Sequence, residues 1–248
     1  MTLIMLFQFL VGFCDVYVAG RFGKTAQAAY GLAFQTYFIL SIAGSAISVG
    51  TVALVSRLCM QEDRSECRGA VATAMLCASI AGALFAVVGF FLAPLISGIF
   101  NVPEEMRRSA QTLMRVYSLG LLFQYVMFSA NAILRSARMI LASLAAVSLM
   151  AALNMVLNFA LSFGTGLGYT GIAVATVVST AAAAAICLYC IRGFLPASRP
   201  SILMAHKIAR VGWPAGVLQI VWQLGAMMVY YILSILPEHN VEIMAAFT

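Results

Sequence analysis

Charge is what this sequence has least of. Only 9% of its 248 residues are charged and 63% are hydrophobic, whereas a soluble domain carries roughly 25% charged residues. A chain this poor in charge cannot cover the surface of a soluble globule, so the membrane class follows. Histidine is nearly absent: His206 and His239 stand far apart. No His-based metal cluster or nucleophile–base pair is therefore laid out, and an enzyme is not expected. The six cysteines (Cys14, Cys59, Cys67, Cys77, Cys187 and Cys190) are spread along a chain that is neither short nor loop-rich, unlike a secreted disulfide framework. "CLYC" (187–190) has redox spacing but lies in the run "AAAAAICLYCI" with no βαβ pattern around it, so it reads as small lipophilic packing. The net charge of +6 does not point to nucleic acid. The basic residues sit near the ends of apolar runs, where they suit anionic lipid headgroups and topology signals.

What is present is a series of long uncharged runs. A membrane helix needs about 20 mostly apolar residues, and the charged residues mark the runs off. They predict an all-α polytopic protein with seven spans, near residues 1–20, 29–56, 69–99, 109–134, 139–163, 170–192 and 208–236. The run over 139–191 is too long for one helix and is divided by the glycine-rich "FGTGLGYTG" (163–171). Ala, Gly and Ser abound, which lets membrane helices approach closely. A β-barrel would instead show short segments of alternating polarity. The first span begins without a polar leader and the sequence stops at "IMAAFT", so the chain is expected to be part of a longer protein. The loops over 57–68, 135–138 and 192–210 collect most of the Lys and Arg. They should be cytoplasmic, with the N-terminus inside and residues 21–28, 101–108, 164–170 and 237–244 outside.

Within these spans one acid stands out. Asp15, in "FLVGFCDVYVAG", is the only acidic residue inside a predicted helix. A charge at membrane depth costs about 2.5–3.5 kcal/mol on insertion scales, so such a group is either near the helix end, reaching water beside Arg21, or functional. In "AALNMVLNFAL" Asn154 and Asn158 are four residues apart and share a helix face. Two amides on one face serve either as interhelical glue or as carbonyl oxygens for a hard cation. The next span carries Thr176, Ser179 and Thr180. Hydroxyls there can simply bond back to their own helix. A hairpin centred near residue 167 would set Thr176 level with Asn158.

These segments resemble the N-terminal part of a multidrug and toxic compound extrusion (MATE) transporter. The resemblance is carried by "FCDVYVAGRFGKTAQAAYGL", "VALVSRLCMQEDRSECRGAV", "AILRSARMILASL", "LNMVLNFALSFGTGLGYTGIAVAT" and "VGWPAGVLQ", in that order along the chain. It implies a six-helix N-lobe over residues 1–195, a cytoplasmic inter-lobe linker over 196–207, and the seventh helix and start of a C-lobe over 208–248, the rest of that lobe being absent. It also implies a secondary antiporter that exports organic cations or amphiphiles against sodium ions or protons, with no cofactor. By motif, the cation or proton site falls on Asp15, Asn154, Asn158 and Thr176. Sodium, where it is the ion, would be held by Asp15, Asn154 and Asn158, and no other metal is expected. Members with Asp at the second fifth-helix position have two carboxylates; here Asn158 leaves one. Where some members carry a seventh-helix Glu, this chain has Gln219 and Gln223. Spans rich in Met, Phe and Tyr suit a forgiving apolar cavity, and Gln35, Tyr37, Gln219 and Gln223 are expected to line it. The alternative is a lipid-linked oligosaccharide flippase of the same superfamily, which would need cationic residues in mid-span that this sequence lacks. A seven-helix receptor and a membrane-embedded enzyme fit the motifs less well.

Overall fold

The computed structural model describes residues 2–60, 64–194, 200–235 and 240–247. Among them are eight α-helices: α1 (Thr2–Arg21), α2 (Lys24–Met60), α3 (Arg64–Ile99), α4 (Glu104–Ser136), α5 (Ile140–Phe163), α6 (Thr170–Ile191), α7 (Ile202–Ser234) and α8 (Asn240–Phe247). The described residues contain no strand. In hydrocarbon every backbone N–H and C=O must be satisfied inside the chain, and a helix does this within one segment. Six helices, α2 to α7, are long and apolar enough to cross a membrane, and the chain is an all-α, multi-pass membrane protein. The remaining expected span, α1, lies parallel to α5, with ring centroids of Tyr17 and Phe159 6.5 Å apart and those of Phe22 and Phe163 5.3 Å apart.

Several helices start earlier than the uncharged runs predict. α2 begins at Lys24, α3 at Arg64, α4 at Glu104 and α7 at Ile202. Lys, Arg and Glu are good helix formers, so a charge marks the edge of the hydrocarbon and not the end of the helix. The expected linker over 196–207 is shortened accordingly, its first residues lying outside those described. The expected outer loop over 237–244 lies partly outside them too, with His239, and otherwise forms the first turns of α8. The glycine-rich break does divide α5 from α6, with Gly168 at φ 56°. Gly23, at φ 104°, makes the tight turn from α1 to α2. A contact that the sequence did not indicate joins the sulfurs of Cys59 and Cys67, whose Cα atoms are 5.6 Å apart at the facing ends of α2 and α3.

α2 and α4 form the centre. α2 packs against α4, α3, α7 and α8, and α4 packs against α3 and α6. The core between them is tyrosine-rich: Tyr30, Tyr117, Tyr125 and Tyr230 are fully buried, and the Tyr125 hydroxyl donates to the Leu40 carbonyl at 2.5 Å. α7 meets α2 at two glycines. A side chain on Gly50 would overlap the Ile208 carbonyl, and one on Gly212 the Ala46 carbonyl. Neither backbone can yield without separating the helices. Gly212→Val is therefore expected to destabilise the protein by about 1–3 kcal/mol or more, read as a lower melting temperature of the purified protein. An unchanged melting temperature would show that the helices do not meet there.

Candidate cation site

Asp15 faces the bundle. On α1, Cys14, Asp15, Val18 and Ala19 are buried, while Phe9, Phe13 and Tyr17 are exposed on the opposite side. The carboxylate is 2% exposed despite its distance of only six residues from Arg21. The small buried residues beside it let the acid approach its neighbours. On α5 the buried residues Ser143, Val147, Ala151, Asn154, Asn158 and Ser162 recur every three or four positions, the spacing of one helix face. Both amides belong to that face, at 1% and 0% exposure.

The structure brings all four residues named for the site into one network. Asn158 Nδ2 donates to Asp15 Oδ1 and is 3.1 Å from Asn154 Oδ1. Asn154 Nδ2 donates to Thr176 Oγ1 at 3.2 Å and approaches Ser179 Oγ at 3.5 Å. Thr176 also bonds back to the Ile172 carbonyl at 3.1 Å. The hairpin register differs from the expected one, because Thr176 lies opposite Asn154, one turn from Asn158. The turn spans residues 164–169, centred where the sequence predicts, so the offset comes from the way the turn closes.

Sequence reading missed the contribution of α2 and α4. The Tyr30 hydroxyl donates to Asp15 Oδ2 at 3.3 Å. The Tyr117 hydroxyl faces the same cluster, beside Thr176. Asn158 Oδ1 and Ser162 Oγ are buried without hydrogen-bond partners. A buried polar atom left unsatisfied costs about 1–3 kcal/mol, so these oxygens are suited to an added ion or water. Among the described residues, Asp15 forms no ion pair; the salt bridges join Lys24 to Glu242 and Glu104 to Arg107 and Arg108, all at the surface.

Beside the cluster, α1, α2 and α7 enclose a cavity of about 410 Å³ lined by Phe9, Phe13, Phe34, Gln35, Tyr230 and Tyr30 itself, among others. Of the residues expected at a substrate cavity, Gln35 lines this space. Tyr37 is buried, its ring 5.0 Å from that of Tyr117. Gln223 donates to Gln35, and Gln219 accepts from Ser45 at 2.5 Å, so both tie α7 to α2.

The MatE family model matches residues 1–160. A probable multidrug resistance protein NorM of Thermotoga maritima is 25% identical over 241 residues, covering 92% of this chain and 51% of the relative. The solved structure of a MATE protein in complex with MaL6 superposes with a TM-score of 0.87 at 21% identity, over 97% of this chain and 56% of that one. A MOP superfamily transporter from Pyrococcus furiosus, described as having a binding pocket of reverse polarity, gives 0.86 at 20% identity, over 97% and 55%. The structural likeness establishes the shared fold. The chain spans about half the length of these relatives.

Proposed function

Because the chain belongs to the MatE family, we propose that it supplies the ion-coupling lobe of a secondary antiporter, which exports organic cations or amphiphiles against sodium ions or protons. The supporting observation is the environment of Asp15. A buried charge needs pairing, and among the described residues this carboxylate has only the neutral donors Asn158 and Tyr30. A proton on the acid, or a sodium ion shared with the Asn154, Asn158 and Thr176 oxygens, supplies the missing positive charge.

Coupling requires that ion and substrate favour opposite states or compete. Tyr30 joins the two sites, because it lines the aromatic cavity and donates to Asp15. Competition follows from charge: an ionised Asp15 beside the cavity attracts a cationic substrate, and a proton or sodium ion at Asp15 removes that attraction. The helix of Tyr30 also carries Gln35, which accepts from Gln223 of α7, so a shift of α2 reaches the next part of the protein. Aromatic walls suit cationic substrates through cation–π attraction, about 0.5–2 kcal/mol each. They supply no cationic groups for a pyrophosphate, which favours antiport over the flippase reading.

The test is efflux of a fluorescent organic cation from vesicles holding the complete transporter, under separate sodium and proton gradients. Export driven by at least one gradient is expected; export indifferent to both would refute antiport. The accompanying topology has the N-terminus in the cytoplasm. In intact cells and a cysteine-free background, Glu104→Cys should be labelled from outside by an impermeant maleimide and Ser65→Cys should not. The reverse pattern would invert the topology.

A further inference from the structure

At the opposite end of the bundle from the α1–α2 turn, the last turns of α2 and the α4–α5 corner enclose a second cavity, of about 330 Å³. Its lining is split by chemistry. Arg135, Arg138, Ser56 and Ser136 supply polar atoms, and Val52 and Met60 supply an apolar wall. Arg135 is the last basic residue of α4, and its Nε is buried without a hydrogen-bond partner. Arg138 stands in the left-handed region, φ 59°, which a bulky side chain seldom adopts. Neither arginine forms an ion pair among the described residues, and the cavity lining contains no acid. The serine hydroxyls donate to backbone carbonyls, Ser136 to Ala132 at 2.8 Å and to Val52 at 3.4 Å, and Ser56 to Ala53 at 3.4 Å. With their single protons so engaged they offer the cavity lone pairs only, and the donors left for a ligand are the guanidinium N–H groups.

We propose that this cavity binds the phosphate headgroup of an anionic phospholipid. Two guanidinium groups line the cavity, one of them with a free buried donor, and the planar guanidinium fork is suited to phosphate oxygens. Basic pockets between membrane helices are suited to such headgroups. The apolar wall favours a lipid over free phosphate: Met60 is 68% exposed, and Ile140 and Leu141, just past the corner, are 64% and 82% exposed. These form a path along which an acyl chain can leave the headgroup site. The assignment to the cytoplasmic leaflet rests on the proposed topology; the site itself does not rest on antiport.

The experiment uses the complete transporter in phosphatidylcholine nanodiscs, with phosphatidylglycerol titrated in and thermal melting and native mass spectrometry as readouts. Phosphatidylglycerol should raise the melting temperature and give retained lipid adducts. Arg138→Gln, an exposed corner residue whose loss spares the helix packing, should remove most of the shift. Arg135→Lys/Arg138→Lys should keep part of it, since charge remains but the planar fork is lost. An undiminished shift and adduct count in Arg138→Gln and in Arg135→Gln/Arg138→Gln would overturn the proposal. So would an equal shift from inorganic phosphate alone, which would make the ligand a free anion. Because neither readout needs transport, loss of lipid binding and loss of antiport are separable results.

Discussion

Asp15→Asn is expected to abolish ion-driven export while leaving the protein folded. The substitution keeps the shape of the side chain and removes the one acid in a buried cluster of neutral groups. A neutral amide is cheaper to bury than a carboxylate, so expression and melting temperature should hold or rise. An amide cannot titrate, and it offers sodium one neutral oxygen in place of an anionic pair. The expected loss is at least about 100-fold in gradient-driven efflux, equivalent to about 2.7 kcal/mol of coupling. Vesicle efflux with matched protein amounts checks it. Export at the parental rate under both gradients would make Asp15 a passenger.

Asn158 should give the second largest effect, and its two substitutions should differ. Asn158 donates to Asp15 and holds Asn154 Oδ1 at 3.1 Å. Asn158→Leu deletes both contacts and leaves the acid with Tyr30 alone. Breaking a buried hydrogen bond to a charged group costs about 1.5–3 kcal/mol, so efflux should fall by roughly 10–100-fold at that magnitude. Asn158→Asp adds a second carboxylate, and two close carboxylates cannot both ionise easily without a cation. Transport should persist with a changed dependence on pH or sodium. Equal activity of parent and Asn158→Leu would remove Asn158 from the site, whatever Asp15 does.

The sequence made some of this legible and hid the rest for physical reasons. Asp15 was visible because acids are nearly absent from the spans. The Asn154–Asn158 face was visible because helical spacing is local. The α5–α6 hairpin was visible through its glycines, but its register was misplaced, since an interhelical register depends on how a turn closes and not on its midpoint. Tyr30 was invisible as a partner. It comes from α2, and nothing in its local pattern tells which helix its hydroxyl will meet. The Gly50–Gly212 crossing and the pairing of Gln35 with Gln223 were hidden for the same reason. Arg135 and Arg138 were read as topology signals, because their shared cavity exists only once α2 packs beside the α4–α5 corner.

If Asp15 links ion binding to substrate binding, substrate affinity must depend on pH or on sodium through this one carboxyl group. The complete transporter and its Asp15→Asn variant are titrated with a fluorescent organic cation, first at stepped pH without sodium and then at stepped sodium at fixed pH. Coupling free energies between linked sites correspond to roughly 5–150-fold in affinity. The parental protein should show a shift of that size along at least one of the two series, and Asp15→Asn should bind substrate with a Kd that is flat along both. A variant whose Kd moves in parallel with the parent's would contradict the account and place the coupling group elsewhere.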